Sequence, residues 1–169
     1  MTLVGFDTLP ADARIWLFAS DAPLIGATAD RLLAEVDRFL EQWKAHGMPL
    51  KAARDWSENH FLTIGIDPSA EQASGCSIDG LFRALRELEQ VLGSRLVGGG
   101  RVFNRDAEGT VAVASREEFE TLTEKGSVVG DTPVYDLSLT SLAEWRRRFE
   151  TRAADMYAIP QSGTATSRP

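Results

Sequence analysis

Apolar positions along the first half of the chain fall into two rhythms. Arg14-Ile15-Trp16-Leu17-Phe18-Ala19 is a short run of strand formers bounded by Pro10 and by Asp21-Ala22-Pro23, and it predicts a buried strand. From Thr28 the spacing lengthens to three and four residues, through Leu32, Leu33, Val36, Phe39, Leu40 and Trp43, with Asp30, Glu35, Asp37 and Glu41 between them. That pattern predicts an amphipathic helix capped by Thr28 and stopped by Gly47, with Pro49 behind it. Residues 50–56 and 61–66 return to strand character around a turn at 57–60. Alternation there places Leu62, Ile64 and Ile66 on one face and Phe61, Thr63 and Gly65 on the other. A second helix is predicted over about residues 78–92, with Ile78, Leu81, Phe82, Leu85, Leu88 and Leu92 toward the core and Gly93 at its end.

After Gly98-Gly99-Gly100, residues 101–104 and 110–114 predict a hairpin around Asp106-Ala107-Glu108-Gly109. Ser115 with Glu118 forms a capping box for a short helix ending at Gly126, and residues 134–137 supply a last strand. Ser141 with Glu144 opens another helix, whose apolar side is Leu142, Trp145 and Phe149. Strand, helix, hairpin, helix, strand is the order of an α+β fold, specifically a ferredoxin-like split βαβ sandwich with additional C-terminal strand and helix elements. The expectation is one domain over residues 1–157, with a core at about 12–105, an extension at about 106–157, and a disordered polar tail at 158–169. In such a sandwich the C-terminus of helix one and the N-terminus of helix two share one end.

Composition narrows the picture. A chain of 169 residues with 43% hydrophobic content can bury a core without staples, and its single cysteine excludes internal disulfides and multi-thiolate metal sites. The opening residues have no signal-peptide pattern and no apolar run reaches membrane-spanning length, so a reducing, cytoplasmic setting is expected, without membrane insertion. The net charge of −7 argues against nucleic acid and anionic membranes as partners. The one basic run, Arg146-Arg147-Arg148, lies between Glu144 and Glu150 as a solvated helix face. No cofactor motif is present: Gly98-Gly99-Gly100 is a linker, and two histidines without ligand-pair spacing do not suggest a metal.

Candidate chemistry gathers at Ser74-Gly75-Cys76-Ser77-Ile78-Asp79. Cys76 is expected at the start of helix two, where exposed N–H groups favour an anion, and His46 in the last turn of helix one, where carbonyls favour a cation. A pair so placed would support thiol chemistry, with Cys76 as nucleophile, His46 as base and Asp79 or Asp67 orienting the ring. Each residue also has an ordinary account: Cys76 as packing, His46 as a dipole partner, Ser74 and Ser77 as caps, His60 as a solvated turn residue. A second reading needs no reactive thiol, since Ser74, Gly75, Ser77 and the free N–H groups of a helix start can hold an anion.

The segments Trp43-Lys44-Ala45-His46-Gly47-Met48-Pro49-Leu50, Gly75-Cys76-Ser77-Ile78-Asp79, Phe103-Asn104-Arg105 and Val134-Tyr135-Asp136 carry a resemblance over nearly the whole chain. It resembles a family of short bacterial proteins of unknown function, frequent in Bacteroidetes-type genomes, whose members are often labelled "ABC transporter ATPase". The resemblance implies that the Ala-His-Gly turn and the Gly-Cys-Ser-Ile-Asp helix start lie in one domain. It adds Asn104 and Arg105 on a fourth strand returning to the same edge, although the Gly-rich approach at 98–100 departs from the family pattern. The label itself has no support here, because no Gly-x-x-x-x-Gly-Lys-Ser/Thr loop occurs. Two functions are therefore carried forward, with a nucleotide-hydrolysing, ATPase-associated subunit, as the label suggests, ranked last. The first is a non-enzymatic domain binding a small anionic ligand or a protein partner through His46, Ser74, Ser77, Asn104 and Arg105. The second is a thiol enzyme using Cys76, His46 and Asp79, with Arg105 holding an anionic substrate.

Overall fold

The computed structural model describes residues 4–160, so the predicted disorder at 161–169 lies outside the described residues. In chain order its elements are β1 (Arg14–Ala19), α1 (Gly26–Gln42), β2 (Lys44–Ala45), β3 (Met48–Pro49), β4 (Ala52–Ser57), β5 (Phe61–Ile66), α2 (Gly75–Leu92), β6 (Arg101–Arg105) and β7 (Val111–Ser115). They continue with α3 (Arg116–Glu124), β8 (Pro133–Tyr135), α4 (Leu142–Arg148), β9 (Glu150–Arg152) and α5 (Ala153–Met156), after a single 3-10 turn at Phe6–Thr8 ahead of β1. The chain is α+β. Its described residues gather into two compact units: those up to Gly99 with Leu137–Phe149, and Gly100–Asp136 with those from Glu150 onward.

In the first unit β1, β5 and β4 form an antiparallel sheet in the order β1-β5-β4. β1 and β4 run parallel on either side of β5 and are linked through α1, which is the split βαβ arrangement the element order predicts. The ferredoxin-like plan stops there. The strand after α2, β6, pairs with β7 and β8 in a separate sheet of order β7-β6-β8-β9 instead of returning as a fourth strand.

β5 is buried along its whole length because both faces of the sheet are covered. Leu62, Ile64 and Ile66 pack against the helix layer, where Leu32, Val36 and Leu40 of α1 meet Leu81 and Leu85 of α2. The opposite face, carrying Ile15 and Ala53, is closed by Leu9 and by Leu139 and Leu142 at the start of α4. That second layer is pinned to β1 by backbone hydrogen bonds from Ile15 N to Thr140 O (2.9 Å) and from Leu142 N to Ala13 O (3.0 Å). In the second unit Val102, Ala114 and Val134 from the sheet pack with Phe119 of α3, Val128 and Ala153.

α1 ends at Gln42, earlier than its apolar period suggested, and β2 and β3 follow as a two-residue hairpin with Lys44 opposite Pro49 and Ala45 opposite Met48. The turn residues His46 (φ 51°) and Gly47 (φ 76°) are both left-handed, the conformation a two-residue hairpin of matching twist requires. Glycine meets that demand freely, and histidine is among the residues that tolerate it. His46 is therefore an exposed hairpin tip and not a member of the last helical turn.

Candidate functional site

The first turn of α2 is a closed cap. Ser77 N donates to Ser74 Oγ at 3.1 Å, Ser74 N donates to Ser77 Oγ at 2.8 Å, and Ser77 Oγ donates to the Ser74 carbonyl at 2.8 Å. Both hydroxyls are thus engaged with the helix's own backbone, the reciprocal arrangement of a capping box. The turn is also fixed to the end of α1, since the buried indole N–H of Trp43 donates to the Ser77 carbonyl at 2.8 Å. Of the remaining residues in this stretch, Gly75, Cys76 and Asp79 are exposed. The C-terminal end of α1 and the start of α2 do meet, through Trp43, while His46 extends outward on the hairpin beyond it.

Asp67 is held elsewhere. Its Oδ1 accepts from Ser69 N (2.9 Å) and Ser69 Oγ (2.7 Å), and its Oδ2 pairs with Lys51 Nζ at 3.1 Å. The Ser69 hydroxyl, the Ser69 N–H and then Lys51 hold its carboxyl down at about 2. A carboxylate so committed closes the turn after β5 rather than orienting an imidazole. His60 corrects its solvated reading too: it is 3% exposed, and its Nδ1 donates to the Ser20 carbonyl at 2.8 Å, which sets the tautomer.

Asn104 and Arg105 belong to the second unit, on β6. Asn104 is 4% exposed and faces Ala112 and Val134 across the sheet. Arg105 is engaged through all three of its side-chain nitrogens. Its Nη2 donates to Glu150 at 2.9 Å and to the Tyr135 hydroxyl, its Nε donates to Glu150 at 3.3 Å, and its Nη1 donates to the Gly109 carbonyl at 2.8 Å. The Arg105 hydrogen bond in turn lowers the Glu150 carboxyl, against an opposing effect of burial. This guanidinium closes the β6–β7 hairpin and staples β9, with its charge already matched.

The concavities of the first unit lie along the helices instead. Phe39 of α1 and Ala84, Leu88 and Val91 of α2 floor a groove of about 440 Å³, with Arg31, Glu35 and Arg38 on one wall and Glu87 on the other. Arg38 is paired with Glu35 at 2.8 Å, whereas Arg31 makes no ion pair among the described residues. A shallower depression of about 660 Å³ runs along α2 from Ile78 and Asp79 past Phe82 and Arg83 to Gln90. Val91 was the sequence signal for the groove: it extends the apolar stripe three residues beyond Leu88, yet is 50% exposed.

Among the described residues no helix is long and apolar enough to cross a membrane, and no three His, Cys, Asp or Glu side chains cluster as metal ligands would. No family model, curated protein or solved structure matches the chain.

Proposed function

We propose that this protein is a non-enzymatic binding domain whose recognition surface is the α1–α2 groove, and that it takes a small anionic ligand with an apolar body. The observation that carries the reading is the pairing of an apolar floor, Phe39, Leu88 and Val91, with an unmatched Arg31 guanidinium on the wall above it. A groove of about 440 Å³ is in the range of small-molecule sites, and apolar lining with few polar groups is their usual composition. The site moves away from the start of α2, where the Ser74 and Ser77 N–H groups and the Ser77 hydroxyl hydrogen are spent in the capping box. A cytoplasmic setting suits a chain with one exposed free cysteine.

The test is a titration of ¹⁵N-labelled protein with hexanoate and benzoate. Saturable shifts at Phe39, Leu88 and Val91 are expected, weakened in Arg31→Ala and abolished in Leu88→Asp. Shifts confined to other surfaces would remove the groove from consideration.

The exposure of Cys76 supports a second reading, thiol chemistry at the start of α2. Alkylation of Cys76 as a function of pH, in wild type and His46→Ala, decides it. Equal and ordinary rates in both proteins would end the thiol-enzyme proposal.

A further inference from the structure

The face of the first unit's sheet opposite the helices carries a group of polar side chains that the α1–α2 groove does not use. Asp55 of β4 stands directly across from Thr63 of β5 in the antiparallel register, so both point to this face with Cβ atoms about 4.5–5.5 Å apart. Ser57 lies two residues along the same strand and shares the face. Thr63 is 0% exposed and its Oγ1 has no hydrogen-bond partner, and the buried Ser57 Oγ has none either. The layer above is aromatic. Trp145 stacks on Phe149 at 5.6 Å and meets Phe6 edge-on at 5.3 Å, while Phe149 meets Phe61, the cross-strand partner of Ser57, at 5.2 Å. The Trp145 indole N–H is likewise buried without a partner.

Two carboxylates, Asp55 and Asp7, act on one another at this place, while Arg146 of α4 donates to the Leu9 carbonyl at 3.4 Å. Asp55 is half-buried and makes no ion pair among the described residues, and its neighbour Arg54 is committed on the opposite face, gripping Asp37 of α1 at 2.7 and 2.8 Å. Besides Arg54, the charge that acts on Asp55 is a second carboxylate, Asp7, exposed in the turn before β1. Burial first and Asp7 second raise the Asp55 carboxyl above its ordinary range, with Arg54 opposing.

We propose that this face binds a protonated primary amine, with Asp55 as counter-charge, Thr63 Oγ1 and Ser57 Oγ as the other two acceptors, and the Trp145 and Phe149 rings as the apolar wall. A primary ammonium has three N–H donors, and one carboxylate oxygen with two hydroxyl oxygens supplies three acceptors. The aromatic rings accept an alkyl body and favour a cation beside their faces. A divalent metal ion fits less well. It needs six or so oxygens, whereas the β5 carbonyls at this place are spent in the ladders to β1 and β4. Asp7, at the exposed rim, attracts the same charge toward the half-buried Asp55.

The experiment uses the full chain, ¹⁵N-labelled at pH 7, titrated with n-propylammonium chloride, with 1-butanol as the uncharged analogue and magnesium chloride as the metal control. The Trp145 indole N–H, assigned with Trp145→Phe, and the Thr63 amide are expected to shift saturably with the amine alone. Asp55→Asn, which keeps the shape, should weaken binding about tenfold or more, and Thr63→Val severalfold. Retained amide dispersion in both variants shows that they fold. No saturable shift, an equal response to 1-butanol, undiminished binding in Asp55→Asn, or a response to magnesium in place of the amine would each overturn the proposal. Because Arg31 and Leu88 lie on the helix side of the sheet, failure here leaves the groove reading untouched, and the reverse also holds.

Discussion

At the scale of single residues, what decides this structure is how little room the central strand leaves. Gly65 is the clearest case. A Cβ there would lie 2.7 Å from Leu9 Cδ1 and 3.5 Å from Ile15 Cγ2, so the close approach of the chain before β1 depends on the missing side chain. Gly65→Ala should cost about 1–3 kcal/mol in denaturant unfolding, the usual penalty of overpacking. If Leu9 is the obstacle, Gly65→Ala with Leu9→Ala should lose less than the sum of the two single changes. Strict additivity would show that strain lies elsewhere. Asp55 behaves in the opposite sense. Because its folded pKa is raised, it binds a proton more readily folded than unfolded, so its ionised form opposes folding as pH rises past that value. Asp55→Asn should therefore be at least as stable as wild type at pH 7, and a clear loss would contradict the burial assigned to it.

At the scale of elements, the start of α2 is built around a capping box between Ser74 and Ser77. Ser74→Ala removes the side-chain acceptor of the Ser77 N–H and should cost about 1 kcal/mol, within the range of about 0.5–2 for such caps. It should leave ligand binding in the α1–α2 groove unchanged, and a loss of binding with no loss of stability would restore the helix start as a site. The periodicity of α1 and α2, the alternation in β5 and the capping boxes at Ser74 and Ser115 are local signals, and the structure follows them. The hairpin of β2 and β3 was hidden because Ala45-His46-Gly47 continues a helical pattern plausibly. Only the left-handed backbone at His46 and Gly47 separates the two, and no side-chain period records it. β9 and α5, three and four residues long, are too short to carry a period at all.

At the scale of the molecule, the missing information was which distant segment covers which face. Alternation in β5 marks two faces but does not say that residues 137–149 return to close the one bearing Phe61, Thr63 and Gly65, which is why Asp55 and Thr63 were not associated from sequence. The same segregation gives an optical handle: all four tryptophans, 16, 43, 56 and 145, lie in the first unit, and both tyrosines, 135 and 157, in the second. Acid titration can therefore be read unit by unit. Asp67, in the first unit, has a folded pKa of about 2 against an ordinary 3.8, so its contribution is complete above the unfolded value and fades as pH falls through the folded one. The stability gap between wild type and Asp67→Asn, followed by tryptophan fluorescence, should be full at pH 6 and close between about pH 4 and pH 2. Glu150, lowered by Arg105, acts with the same sign in the second unit, so Glu150→Gln should narrow its gap below about pH 4.5, followed by tyrosine absorbance. A gap that widened on acidification would mean that these carboxylates are not stabilised as the Ser69, Lys51 and Arg105 contacts require.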